Sequence, residues 1–272
     1  MDSMVKDVAN IEPSPIENIP TTITNSNDLL GYWVGIFEAI DYKENVDFTY
    51  TNKINVSLDN IDIATNKVKG HSVVGGNYRP FEGSIKEEKE KYVIQAKEDG
   101  TDKNDGIFQI EITKEKPAMT GNWTAYDSKL PVTKREIQQS TKKVFRYDPT
   151  VQVSENLDFY PVKDTKHKAK NDEIAMAKGD FLKWNASTTL LQPKNIENFK
   201  RGDLQILRNS IYARHGYAFK NRIVREVFEM QEWYIPVSAD VTKDLTELEK
   251  KNAELIKKYE KHAVEYYDSF GR

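Results

Sequence analysis

Hydrophobic and polar positions change their rhythm once along this chain. Phe48, Tyr50, Ile54, Val56 and Leu58 alternate with Thr49, Thr51, Lys53, Asn55 and Ser57. Phe108, Ile110 and Ile112 alternate with Gln109, Glu111 and Thr113, and Met119, Gly121, Trp123 and Ala125 keep the same period of two. Successive side chains on a strand point to opposite faces, so this alternation predicts half-buried strands. Turn-forming residues at Asp59-Asn60, Thr65-Asn66, Gly75-Gly76-Asn77, Glu90, Asn104-Asp105-Gly106 and Ser128 separate the runs. Eight strands follow, near 32–40, 47–58, 66–75, 78–86, 91–97, 107–113, 118–126 and 131–139. Consecutive hairpins without crossover helices predict an antiparallel meander, which eight strands close into an up-and-down barrel.

After about residue 180 the spacing becomes helical. Leu204, Leu207 and Ile211 draw one face, Arg208, Tyr212 and His215 a neighbouring row, and Gly216 stands where a left-handed C′ residue ends a helix. Such an ending folds Tyr217 back on Tyr212 and puts Arg214 and His215 in the last turn, at the negative end of the helix dipole. A second short helix is expected with Asn221 as N-cap, Ile223, Val224, Val227 and Phe228 inward, and Trp233-Tyr234-Ile235-Pro236 as its end. Asp244 and Glu247 form a capping pair for a third, long helix with Leu245, Leu248, Leu255, Ile256 and Tyr259 on one face. Asn252 lies on that apolar stripe and needs a partner, either Arg208 or a backbone carbonyl. Pro193 marks a further helix start, with Ile196 and Phe199 facing inward.

The run Leu207-Arg208-Asn209-Ser210-Ile211-Tyr212-Ala213-Arg214-His215-Gly216-Tyr217-Ala218-Phe219, with Phe228 and Trp233-Tyr234, resembles the YARHG domain of bacterial extracytoplasmic proteins. The resemblance extends from Ser187-Thr188-Thr189-Leu190-Leu191 to the Glu-rich last helix; Ser210 stands where the family pattern usually carries an acidic residue. It implies a cell-envelope or secreted location and supplies no reaction. More weakly, Gly31-Tyr32-Trp33, with a second triplet at Gly121-Asn122-Trp123, resembles the Gly-x-Trp opening of lipocalin-like barrels. The whole therefore reads as two domains, α+β overall: residues 1–29 a Pro-, Ser- and Thr-rich disordered tether, 30–147 an antiparallel eight-stranded barrel, 148–180 a linker with the basic run Lys163, Lys166, His167, Lys168 and Lys170, and 181–272 a small helical domain. Ala169 to Leu182 is a candidate short helix within the linker.

Composition narrows the chemistry. A net charge of −3 over 272 residues gives no electrostatic reason to expect nucleic acid, and the absence of cysteine excludes disulfides and thiolate metal sites. No apolar run approaches the roughly 20 residues that span a bilayer as a helix. The N-terminus lacks the profile of a signal peptide, so an exported protein of this sequence is one whose leader and any lipid anchor have been trimmed, with Met1-Asp2-Ser3-Met4 compatible with a cloning scar.

No nucleophile motif, phosphate loop, metal-ligand set or cofactor signature appears, and the expectation is a binding protein rather than an enzyme. Two candidate sites stand out. Arg208, Tyr212, Arg214 and His215, with Trp233 and Tyr234 as a stacking surface, form either an exposed cluster that grips a cell-wall glycan, peptide or envelope protein, or a set of structural residues satisfying backbone carbonyls and carboxylates. The barrel, lined by Trp33, Phe37, Tyr50, Ile54, Phe108 and Trp123, either holds a small apolar ligand or is filled by its own side chains. A hydrolase using His215 with Glu226 or Glu229 is a third alternative. Asp99, Asp102, Asn104 and Asp105 miss the spacing of a calcium loop and read as turn residues, and His71 reads as a surface or rim residue.

Overall fold

The computed structural model describes residues 19–43, 52–154 and 180–266. Eight strands, β1 (Gly31–Tyr42), β2 (Asn52–Asp62), β3 (Lys67–Val74), β4 (Asn77–Glu87), β5 (Lys91–Glu98), β6 (Gly106–Thr113), β7 (Met119–Ala125) and β8 (Val132–Lys143), each pair with their sequence neighbours, and β1 pairs with β8 to close a barrel. Alternation is the cause. Ile54, Val56 and Leu58 of β2, Phe81 and Ile85 of β4, and Ile94 and Ala96 of β5 all point into one buried core. Closure between β1 and β8 needs register shifts between Val34 and Ile36 and between Ala39 and Asp41, the bulges by which a twisted sheet bends onto itself. Phe48 and Tyr50 lie outside the described residues.

One end of the barrel is plugged. A 3-10 turn at Ser26–Leu29, held by a capping box between Asn25 and Asp28, buries Leu29 completely. The Leu29 carbonyl accepts a hydrogen bond from Trp33 Nε1 at 2.9 Å, which satisfies the indole in the core. Ile23 is buried beside it. The stretch whose composition suggests a free tether thus contains its own plug: two apolar side chains are enough, and the surrounding Asn and Asp serve as caps. Residues 1–18 lie outside the described residues.

Helices α1 (Pro193–Ile196), α2 (Arg201–Arg214), α3 (Arg222–Glu229) and α4 (Glu247–Tyr266) form a second core, with Leu204, Leu207 and Ile211 of α2 packed with Val227 and Phe228 of α3 and Ile256 of α4. Asn221 caps α3 by accepting from Val224 N, as expected. The helix stops at Glu229, four residues before Trp233, because Gln231 N closes a turn on the Phe228 carbonyl. Asn252 finds backbone partners: its Nδ2 donates to the carbonyls of Ala186 and Thr189 at 2.7 and 2.8 Å, and its Oδ1 accepts from Leu191 N at 2.9 Å. Arg208 instead pairs with Glu260 at 2.6 Å. The capping box of α4 is Thr246 with Glu249, two residues beyond the expected Asp244 and Glu247. Glu249 wins because its carboxylate also meets a buried histidine, described below.

The two domains touch along β2, whose two faces are both buried. Its outward residues lie under the helical domain: Lys53 Nζ donates to the carbonyls of Gln231 and Tyr234 at 2.9 and 3.1 Å, and Asn55 Nδ2 donates to the Pro236 carbonyl at 2.9 Å. The described part of the expected linker, residues 148–154, is a turn at Pro149–Thr150 followed by four residues without regular structure, held on the helical domain by hydrogen bonds at Pro149 and Ser154. The basic run from Lys163 to Lys170, and most of the candidate helix 169–182, lie outside the described residues; Asp180–Lys183 is a 3-10 turn.

Candidate functional site

The Tyr-Ala-Arg-His-Gly segment ends α2 as its spacing predicts. Tyr217 N donates to the Tyr212 carbonyl at 3.1 Å and Gly216 N to the Ala213 carbonyl at 2.9 Å, the paired bonds of a Schellman ending, with Gly216 at φ +73°. The Tyr212 and Tyr217 rings meet at 6.1 Å.

The polar residues of this segment face inward. Arg214, 3% exposed, directs Nε and Nη2 to the Val151 carbonyl at 3.0 and 2.9 Å, and Nη1 to Ser187 and Ser210 hydroxyls at 3.2 and 3.0 Å. Burial pushes the guanidinium pKa down to about 10. His215 Nε2 lies 2.8 Å from Glu249 Oε2, and its ring stacks under Tyr147 at 4.2 Å. The Tyr147 hydroxyl donates to Glu249 Oε1 at 3.1 Å. Burial alone raises the Glu249 carboxyl, but hydrogen bonds from His215, Ser187 and Thr246 outweigh it and hold the group at about 2.

Tyr234 is buried, with its hydroxyl donating to the Tyr217 carbonyl at 2.7 Å; Trp233 is half-buried and donates Nε1 to the Gln152 carbonyl at 2.9 Å. Arg208 is held by Glu260 and Tyr212 is half-buried. The expected exposed grip is therefore not formed by Arg214, His215 and Tyr234. The reason is geometric: the polar row beside the apolar face of α2 is covered by α4 on one side and by the 147–153 segment on the other.

A different set of side chains borders a cavity at the unplugged end of the barrel. In the final inward-facing layer stand Asn52, Ser72, Arg79, Glu98 and Arg135, in register with Phe37, Phe81, Phe108 and Trp123. They line a cup of about 310 Å³, which Arg225 of α3 also borders. Glu98 is its fixed point. Glu98 Oε2 accepts from Trp123 Nε1 at 2.9 Å and from Gly106 N at 2.7 Å, while Oε1 accepts from the Ser72 hydroxyl at 3.2 Å. Burial raises the Glu98 pKa, and the Trp123 and Gly106 hydrogen bonds hold part of that rise back. Arg79 pairs with Asp105 at 3.0 Å and with Asp102 at 3.5 Å, which accounts for the acidic turn. Arg135 Cζ sits 5.3 Å from the centre of the Phe37 ring. Among the described residues Asn52 Oδ1, in a side chain 6% exposed, receives no hydrogen bond.

Of the expected barrel-lining residues, Phe37, Phe108 and Trp123 border the cup, whereas Trp33 and Ile54 are fully buried in the packed core and Tyr50 lies outside the described residues. The polar layer carried a signal that the alternation contained but that polar-outside reasoning passed over. Asn52 shares the parity of Ile54, Ser72 that of Gly70, Arg79 that of Phe81, Glu98 that of Ala96, and Arg135 that of Ile137. Each is the polar member of an inward series, and all five fall at one end of the barrel. His71 is mostly buried on the outer wall, where Nδ1 meets Asp59 at 2.7 Å and the ring stacks on Tyr78. No group of three or more His, Asp or Glu side chains among the described residues is arranged to hold a metal ion.

Comparison with known families matches residues 179–261 to the YARHG domain. A search of curated proteins returned no match, and neither did a search of solved structures.

Proposed function

Because this chain carries a YARHG domain behind a one-ended barrel, we propose that it is a non-enzymatic extracytoplasmic binding protein whose ligand enters the barrel cup. The observation that carries the proposal is the layer of inward polar residues above an apolar core. Five polar side chains inside a barrel go against the rule that fills small barrels with apolar groups, and local departures of that kind mark functional sites. A cup of about 310 Å³ matches a sugar or a short peptide fragment. Aromatic rings at Phe37, Phe108 and Trp123 offer apolar faces, Asn52 Oδ1 accepts a donor, and the arginines at the rim orient anionic or carbonyl groups. Fragments of cell-wall glycan are the ligand class this lining favours. The extracytoplasmic location rests on the YARHG domain, a family of bacterial extracytoplasmic proteins by the resemblance.

An apolar passenger suits the cup less well, because the interior beneath it is occupied by Trp33, Ile54, Phe81 and their neighbours. The non-enzymatic reading draws support from His215, whose Nε2 is committed to Glu249 and whose ring lies beneath Tyr147.

The test is a titration of the full chain with cell-wall glycan fragments, followed by tryptophan fluorescence and isothermal calorimetry. Binding that falls at least tenfold in Arg135→Ala, with the fold intact by circular dichroism, is expected. Equal affinity in that variant would remove the cup from the reading.

A further inference from the structure

The wall of the barrel cup has spent its donors and kept its acceptors. Trp123 Nε1, Gly106 N and the Ser72 hydroxyl all donate to Glu98, at 2.9, 2.7 and 3.2 Å. Arg79 Nε donates to Asp105 at 3.0 Å, and Asn104 Nδ2 to Asp102 at 2.8 Å. Arg225 Nη1 is turned to the Phe219 and Lys220 carbonyls, at 3.3 and 3.2 Å. Arg135, half-buried, lies over the Phe37 ring with Nη1 on the Phe37 carbonyl at 3.3 Å. Against these stand two buried acceptors that border the cavity, Asn52 and Glu98. Asn52 Oδ1 receives no hydrogen bond among the described residues. The three donors on Glu98 are neutral groups; Arg79 and Asp105 act on it with opposite signs and are paired with each other, and burial raises its pKa. A buried acceptor without a donor, in one cavity with a carboxylate held by neutral groups, calls for an occupant that donates and carries positive charge. An oxyanion has no donor to give. An ammonium has three and no acceptor, and the rings of Phe37, Phe108 and Trp123 around the same space attract a cation.

We propose that the group the cup takes in is the primary ammonium of a de-N-acetylated amino sugar, which donates to Asn52 Oδ1 and faces Glu98. This rests on the cup being the ligand site, and it narrows the ligand from glycan fragments in general to those with a free amine. N-acetylation removes the charge and two of the three N–H donors, and it adds a carbonyl that would face acceptors. The acylated sugar is therefore the poorer fit.

The experiment titrates the full chain by isothermal calorimetry with glucosamine, N-acetylglucosamine and glucose at about pH 6, where the amine is protonated. Glucosamine is expected to bind roughly tenfold more tightly than either neutral sugar, or better. Asn52→Leu removes an acceptor that has no donor in the free protein. That variant should melt no lower than the wild type and yet bind glucosamine about fivefold more weakly. A lower melting temperature with unchanged glucosamine affinity would make Asn52 a structural residue and overturn the assignment. Equal or tighter binding of N-acetylglucosamine or glucose overturns it too, while leaving the cup as a glycan site; so does binding of cell-wall fragments with none of glucosamine. If neither the sugars nor the fragments bind, the cup reading falls and this assignment with it. Where Asn52→Leu fails to fold, the comparison of the three sugars on the wild type decides alone.

Discussion

Arg214 aims both Nε and Nη2 at one acceptor, the carbonyl oxygen of Val151, 63 residues earlier in the chain. A guanidinium offers donors in a rigid fork, and here the fork closes on a single oxygen while the third nitrogen takes two serine hydroxyls. The central arginine of the motif is thus a fastener between the helical domain and the segment that leads to it.

Replacing Arg214 by Ala should therefore destabilise the chain by roughly 2–4 kcal/mol, since it leaves buried acceptors without donors. Lys keeps the charge but lacks the fork, and Arg214→Lys should recover only part of the loss. Urea unfolding followed by circular dichroism reads both values. A midpoint unchanged in Arg214→Ala would show that the fork contributes nothing to stability.

Glu249 gives the fold an acid limb. Its carboxyl is held at about 2 against 4.5 for the free group, so the unfolded chain binds the proton first as pH falls. The stability it contributes is complete above about pH 4.5 and drains away as pH drops toward 2, up to roughly 3 kcal/mol for a shift of this size. Glu249→Gln should be less stable at neutral pH and should lose less on acidification over that window. Thermal melts from pH 2.5 to 7 check it, and parallel curves for the two proteins would count against the His215–Glu249 contact as their source.

Glu229 has the opposite sign. Burial raises its carboxyl to about 7 from 4.5, opposed by a hydrogen bond from the Lys53 backbone and by Arg225, whose Nε is 3.9 Å away. The folded chain keeps this proton where the unfolded chain has lost it, so stability falls as pH rises from about 4.5 to about 7 and is level above. Glu229→Gln should raise the melting temperature at pH 8 and leave it unchanged near pH 4.5. A variant that melts lower at pH 8 would show that the ionised form is well paired in the domain interface.

The strands were legible because alternation reports which face is buried, and Gly216 was legible because a helix that ends on a left-handed residue asks for glycine at that spot. Asn252 announced itself as a polar group on an apolar stripe, and backbone carbonyls answered. The cup was harder to see. Glu98 and Arg135 look like solvent-facing charges until the parity of their strands is followed to the last residue, where the inward series turns polar. The packing of residues 148–154 was hidden by composition, since Pro149 and the basic run downstream suggest a linker, and only long-range partners such as Arg214 and Trp233 hold the segment so that Val153 enters the helical core. The capping box of α4 was expected at Asp244 and Glu247 and lies two residues on, at Thr246 and Glu249, where Glu249 also meets His215 across the domain.

Asn52 and Lys53 are consecutive residues of β2 that face opposite ways, one bordering the cup and the other under the helical domain. The same ribbon of backbone is thus a wall for one compartment and a floor for the other, with no intervening layer to absorb movement. A change in the path of β2 at this point therefore alters the wall of the cup and the hydrogen bonds from Lys53 to the helical domain together.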